Sequence, residues 1–225
     1  SIYLDNSATS FPKPEGVYQA VDSAFRHFGA NPGRGGHRMS LDASRLVFSA
    51  RETVADFFSI NDASRLVFTS GATESLNLIA YAIGNAAPGT RFALTSKDKI
   101  VVTEMEHHAN LIPWQQLAAR TGAKLSWFEI TPDGRLDLSN INSVITENTK
   151  VVALTHQSNV LGTIIPLEAI VARAHEVGAV VVLDACQSAP HMPIDVTELG
   201  VDFLVFSGHK ALAPTGVGVL WSSLL

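Results

Sequence analysis

From Arg65 onward, short apolar runs alternate with longer stretches whose apolar positions recur every three or four residues. The runs predict strands at Leu66–Thr69, Ile100–Glu104, Lys124–Ile130, Val151–His156, Val180–Asp184, Phe203–Ser207 and Val217–Trp221. The longer stretches predict helices at Glu74–Ile83, Asn110–Arg120, Leu138–Ile145 and Leu167–Val177. A near-continuous apolar run such as Val180 to Leu183 is the mark of a strand covered on both faces. Strands separated by helices of about ten residues need crossover connections. The expected fold is therefore α/β, with a mostly parallel seven-stranded sheet between helices. The last two runs flank the turn Ala213-Pro214-Thr215-Gly216, which predicts a closing antiparallel strand.

Before Arg65 the pattern is looser. Pro14 suits a first helical turn and opens a helix to about Phe28. Residues 40–58 read as an amphipathic helix with Val47, Ala50, Val54, Phe57 and Phe58 on its apolar face. Between them lies GANPGRGGH, too rich in glycine for a regular element. It is either a flexible linker or a loop that brings Arg34 or His37 to a site or a partner subunit. The pentapeptide SRLVF occurs at 44–48 and at 64–68; its flanks make the first helical and the second a strand, a coincidence and not a repeat. The expected organisation is an N-terminal arm and loop, 1–38, and one large domain, 39–225.

Composition narrows the function classes. The 225 residues are 46% hydrophobic and 16% charged, as in a globular protein. The net charge is −5 with no basic run, which argues against a nucleic-acid partner. No apolar run approaches bilayer length, and no charged-then-apolar leader opens the sequence. Cys186 is the only cysteine, so there is no disulfide framework. By these absences the expected location is cytoplasmic, without a membrane partner.

In parallel sheets, ligands bind at the carboxyl ends of the strands, and the polar residues worth attention sit there. Lys210 follows the run Phe203–Ser207. An ammonium at the mouth of a buried strand is costly unless paired or neutralised, and a deprotonated lysine forms a Schiff base with an aldehyde. The plainer reading is an exposed lysine after a strand. Ser70-Gly71-Ala72-Thr73 leads from a strand into a helix, as a phosphate cradle does; an ordinary cap by Ser70 or Thr73 reads the same way. His107, in EMEHHAN, can lie flat on an aromatic ring and move protons, or be merely solvated. Zinc spacings such as HExxH are absent, which leaves a histidine-based metal hydrolase poorly supported. Asn159 can donate to a ligand oxygen or shape its turn. Asp184 ends a buried run and needs a cationic or hydrogen-bonding partner, which a protonated pyridine nitrogen would supply; capping the next turn is the alternative. Gln187, three residues on, can reach a ring hydroxyl. Cys186 has no activating base in its local run, so packing is its expected role. Each group follows a separate strand, and together they are the inventory one pyridoxal 5′-phosphate (PLP) molecule needs.

The segments TSGATESLN, EMEHHANLIPW, SNVLG, VLDACQS and SGHKALAPTGVG, with the opening YLDNSATSFPKP, resemble the class V, fold-type I PLP enzymes, and among them the SUF-type cysteine desulfurases. The resemblance runs over nearly the whole chain. It implies a Schiff base on Lys210, a pyridine nitrogen paired with Asp184, and His107 stacked on the ring and aiding proton transfer. It places Gln187 and Asn159 on the ring-hydroxyl side, and Thr73, Ser207, His209 and the Ala72 N–H on the phosphate. It implies conversion of L-cysteine to L-alanine, a persulfide that feeds iron–sulfur cluster or thio-cofactor assembly through an acceptor protein, and a homodimer. It also implies a smaller C-terminal domain beyond Leu225, holding the nucleophilic cysteine and an arginine for the substrate carboxylate. The expectation is that this portion binds PLP and is not competent alone. A selenocysteine lyase, another class V aminotransferase or lyase, and a non-catalytic α/β scaffold remain as alternatives.

Overall fold

The computed structural model describes residues 2–33 and 35–225. One seven-stranded sheet organises the molecule: β1 (Leu66–Thr69), β2 (Lys99–Thr103), β3 (Lys124–Phe128), β4 (Thr149–Thr155), β5 (Val180–Asp184), β6 (Phe203–Ser207) and β7 (Gly218–Ser222). Their order across the sheet is β1-β7-β6-β5-β4-β2-β3. The pairs β2–β3, β2–β4, β4–β5 and β5–β6 are parallel. β7 runs antiparallel to both β6 and β1, so six strands share one direction and β7 opposes them.

The helices are α1 (Glu15–His27), α2 (Arg38–Phe57), α3 (Ala72–Gly84), α4 (Ile112–Thr121), α5 (Ile141–Val144), α6 (Leu167–Glu176) and α7 (Val196–Leu199). The period of two along the central strands divides the core. Val152 and Leu154 of β4, with Val181 and Leu183 of β5, face the side covered by α2, α6 and α7. Val151, Ala153, Val180 and Val182 face α3 and α4. Strands apolar at every position are what two covered faces require. None of the helices is long and apolar enough to cross a membrane among the described residues.

The structure corrects several boundaries. β2 stops at Thr103, because the exposed Glu104 turns out and its carboxylate accepts the Ile130 N–H at 2.9 Å. β3 stops at Phe128, and Ile130 forms only an isolated bridge with Leu136 across the Pro132-Asp133-Gly134 turn. The predicted helix over 138–145 shrinks to one turn, because Asp137 captures the Ser139 N–H at 2.9 Å in a competing local turn. α4 begins at Ile112, after a 3₁₀ turn over His108–Asn110. His156 lies just past β4, and Val217 just before β7. α2 turns Ala43, Ala55 and the following Phe58 inward with Val54 packed against the core, and leaves Ala50 and Phe57 exposed, so the predicted apolar face holds at Val54 and Phe58 and fails at Ala50 and Phe57. α7 is a helix the pattern missed; Asp195 caps it and the left-handed Gly200 ends it within four residues, too short for periodicity to register. Arg34 lies outside the described residues. His37 caps α2, its Nδ1 accepting the Ser40 N–H at 3.3 Å.

Candidate active site

β1, β2, β4, β5 and β6 run in one direction, so their carboxyl ends meet at one edge of the sheet. A cavity of about 450 Å³ opens there. All nine residues singled out from the sequence line it: Ala72 and Thr73 after β1, His107 after β2, Asn159 after β4, Asp184 and Gln187 from β5 onward, and Ser207, His209 and Lys210 from β6.

The floor is Asp184, 4% exposed. Its Oδ1 accepts the Cys186 N–H at 2.9 Å, and no cationic side chain lies within ion-pair distance of it among the described residues. A carboxylate so buried is normally paired, and a cationic or N–H-bearing ligand atom is the chemistry that would pair it. Lys210 ends a 3₁₀ turn, Gly208–Lys210, that caps β6.

The turn between β1 and α3 depends on a backbone contact. A Cβ on Gly218 would lie 2.4 Å from the Gly71 Cα, so the two chains touch through glycines alone. α3 has Gly71 at its N-cap position and no side-chain cap, so neither Ser70 nor Thr73 takes that role. The Ala72 N–H donates to Ser207 Oγ at 2.9 Å, which ties the start of α3 to the end of β6 and leaves the Ser207 hydroxyl hydrogen free to donate. Free N–H groups at the start of α3 and its dipole favour an anion at this end of the cavity. His209, two residues after Ser207, also lines the cavity. Burial first, then the charges of Lys210 and Lys13, pull its pKa below the usual imidazole value. Its Nδ1 is buried with no hydrogen-bond partner among the described residues.

His107, also on the cavity wall, is exposed. Its Nδ1 accepts the Ala109 N–H at 3.0 Å, so the neutral ring carries its hydrogen on Nε2. Beneath it, Glu106 joins β2 to β4. Oε1 accepts from Thr103 Oγ1 at 2.7 Å and the Thr155 N–H at 2.9 Å, and Oε2 accepts from Asn110 Nδ2 at 2.6 Å. The buried Asn110 is oriented in turn by Trp114 Nε1, 3.0 Å from its Oδ1. Desolvation overrides these hydrogen bonds and pushes the Glu106 carboxyl up to about 8.

Some of the wall was not foreseen. Asp5, Ser7 and Ala8 line the cavity, and Gln187 Nε2 donates to the Ser7 carbonyl at 2.7 Å. Nothing in the periodicity points to these residues; the only sequence signal was the opening segment's likeness to the same enzymes. Cys186 also touches the cavity while packing against both halves of the core. Burial, reinforced by the Asp184 charge, raises its pKa well above that of an ordinary thiol, which disfavours the nucleophilic thiolate. Among the described residues no group of three or more His, Cys, Asp or Glu is placed to hold a metal ion.

A family model described as Aminotransferase class-V matches residues 2–224. This chain belongs to the class-V aminotransferase family. A probable cysteine desulfurase of Streptomyces coelicolor is 53% identical over 98% of the chain, and a cysteine desulfurase of Klebsiella pneumoniae is 45% identical over 97%. In each case the match takes in 52% of the relative, so the chain spans about half the length of these curated family members. Among solved structures, the apo cysteine desulfurase of Thermococcus onnurineus superposes with a TM-score of 0.90 at 43% identity, covering 98% of this chain and 53% of that one. The structure described as SspA in complex with cysteine gives a TM-score of 0.86 at 28% identity, covering 99% and 61%.

Proposed function

We propose that the chain is the PLP-binding portion of a cysteine desulfurase, with residues 39–225 as the cofactor-binding domain and 1–38 as an N-terminal arm and loop. The observation that carries this is Asp184, a buried carboxylate without a cationic partner among the described residues, on the same cavity as Lys210. The residues present fit PLP. Lys210 would hold the aldehyde covalently, and Asp184 would keep the pyridine nitrogen protonated. The exposed His107 ring would lie against the cofactor ring and carry a proton on Nε2. Asn159 and Gln187 would meet the ring hydroxyl. The Ser207 hydroxyl, Thr73, His209 and the Ala72 end of α3 would meet the phosphate. When bound, PLP supplies an electron sink for carbanion chemistry at the amino acid substrate.

The substrate class follows from the relatives, which are cysteine desulfurases by name. In that reaction L-cysteine becomes L-alanine and its sulfur moves to an enzyme thiol as a persulfide. An acceptor protein then takes it toward iron–sulfur cluster or thio-cofactor assembly, with a cytoplasmic homodimer as the working form. Cys186 does not suit the persulfide role, because burial keeps its thiol protonated. The chain mixed with PLP and L-cysteine should therefore release alanine and sulfide no faster than free PLP does. The cofactor reading is tested by titrating PLP into the wild type and Asp184→Asn while following the visible band. The wild type should turn yellow, and the variant should bind more weakly with a shifted band. Identical affinity and spectra would overturn the proposal.

A further inference from the structure

The carbonyl of His209, the peptide group leading into Lys210, is the meeting point of an unusual number of donors. It accepts from the Ser10 N–H at 3.1 Å, Ser10 Oγ at 2.8 Å, Thr9 Oγ1 at 3.2 Å and Lys13 Nζ at 3.3 Å. A carbonyl oxygen has two lone pairs, so these donors share them. They all come from a segment about two hundred residues away in sequence. The same Ser10 oxygen accepts the Leu212 N–H at 3.0 Å, so Ser10 grips the backbone on both sides of Lys210. Lys13 closes the grip by also donating to the Ser10 carbonyl at 3.1 Å.

The backbone being held is strained. Leu212 has φ 66°, in the left-handed region that a branched side chain adopts at a cost of about 1 kcal/mol. Such a conformation persists only where its surroundings over-determine it. Ser10 is 7% exposed, and its contacts supply that constraint.

We infer that Ser10 and Lys13 are positioning residues for Lys210: the N-terminal strap sets the His209–Leu212 backbone and so the direction from which the amine enters the cavity. This rests on the reading of Lys210 as the PLP lysine. Capture of PLP joins the amine nitrogen to the aldehyde carbon and releases one water, so its rate reports how well the amine is aimed. At the phosphate end, the tie between the Ala72 N–H and Ser207 Oγ takes no hydrogen bond from the strap's side chains. Loss of the strap should therefore slow capture more than it weakens binding.

The experiment compares the wild type with Ser10→Ala, Lys13→Met and Lys13→Arg. Capture is followed with PLP by borohydride trapping and mass spectrometry, and the proteins are also examined without PLP by hydrogen exchange. Ser10→Ala and Lys13→Met should each trap PLP on Lys210 about fivefold more slowly, the factor one hydrogen bond supports, and Lys13→Arg should restore most of the rate. Without PLP, Ser10→Ala should speed exchange of the peptide containing Leu212 while β5 and α6 keep their protection. Variants that trap PLP as fast as the wild type and leave the Leu212 peptide protected would overturn the inference alone. A wild type that captures no PLP on Lys210 would overturn it together with the proposed function. A variant that only melts lower, with trapping unchanged, would make the strap a structural tie and contradict the positioning role.

Discussion

The contact between Gly71 and Gly218 offers a perturbation whose size can be read from the coordinates. A methyl group added at Gly218 would lie 2.4 Å from Gly71 Cα, 2.5 Å from its carbonyl carbon and 2.7 Å from its nitrogen, all backbone atoms that cannot rotate away. Ordinary contact begins at 3.4 Å, so the turn between β1 and α3 must retreat by about 1 Å. A shift of that size is too large for the 2.9 Å bond between the Ala72 N–H and Ser207 Oγ to survive unaltered. Gly218→Ala should therefore cost about 1–3 kcal/mol, the usual range for overpacking, and weaken PLP binding by opening the phosphate end. The control is Gly71→Ala. Its Cβ would lie 3.5 Å from Ser207 Oγ, and its φ of 162° is extended backbone that any residue adopts. It should change stability by no more than about 0.5 kcal/mol. Urea denaturation gives the first quantity and PLP titration the second. If Gly218→Ala matched the wild type in both, or Gly71→Ala were the more damaging change, the cradle as described would be wrong.

Two further predictions concern half-buried ionisable groups. Glu106 ionises from about 8 in the fold, against its ordinary 4.5 in the unfolded chain, chiefly because it is desolvated. Its contribution is fully present below 4.5 and is lost as pH rises through 8, so urea midpoints should fall between pH 5 and pH 8.5. Glu106→Gln should flatten that slope and lower stability by about 1–2 kcal/mol, because its amide would point a donor at Asn110 Nδ2; a wild-type profile with no slope would contradict the assignment. Cys186 should react with iodoacetamide at pH 7 far more slowly than a free thiol, and Cys186→Ala should still bind PLP. Rapid alkylation, or loss of PLP binding, would reverse the reading of Cys186 as a packing residue.

What the sequence disclosed and what it hid divide along physical lines. β4, β5 and β6 were legible because their apolar runs are continuous, and only strands covered on both faces are written that way. The nine cavity residues singled out from the sequence were legible because each follows or ends a strand at its carboxyl end, where the topology gathers them. The strap was not legible. Its hold on His209 runs through backbone carbonyls and hydroxyls across some two hundred residues, and neither periodicity nor composition records such a bond. The pairing of Gln187 with the Ser7 carbonyl was hidden for the same reason. The periodicity overran the one-turn helix α5 and missed α7 through its brevity; Asp137 accepts the Ser139 N–H before the one and Asp195 accepts the Thr197 N–H at the start of the other.

Everything functional in this account converges on a covalent bond between PLP and the amine of Lys210. The most direct measurement is to incubate the protein with PLP, reduce with borohydride, digest, and locate the added mass. The account predicts the phosphopyridoxyl group on the peptide containing Lys210, and none on that peptide in Lys210→Ala. Its appearance on Lys13 or on surface lysines instead, or its absence from every peptide, would contradict the account.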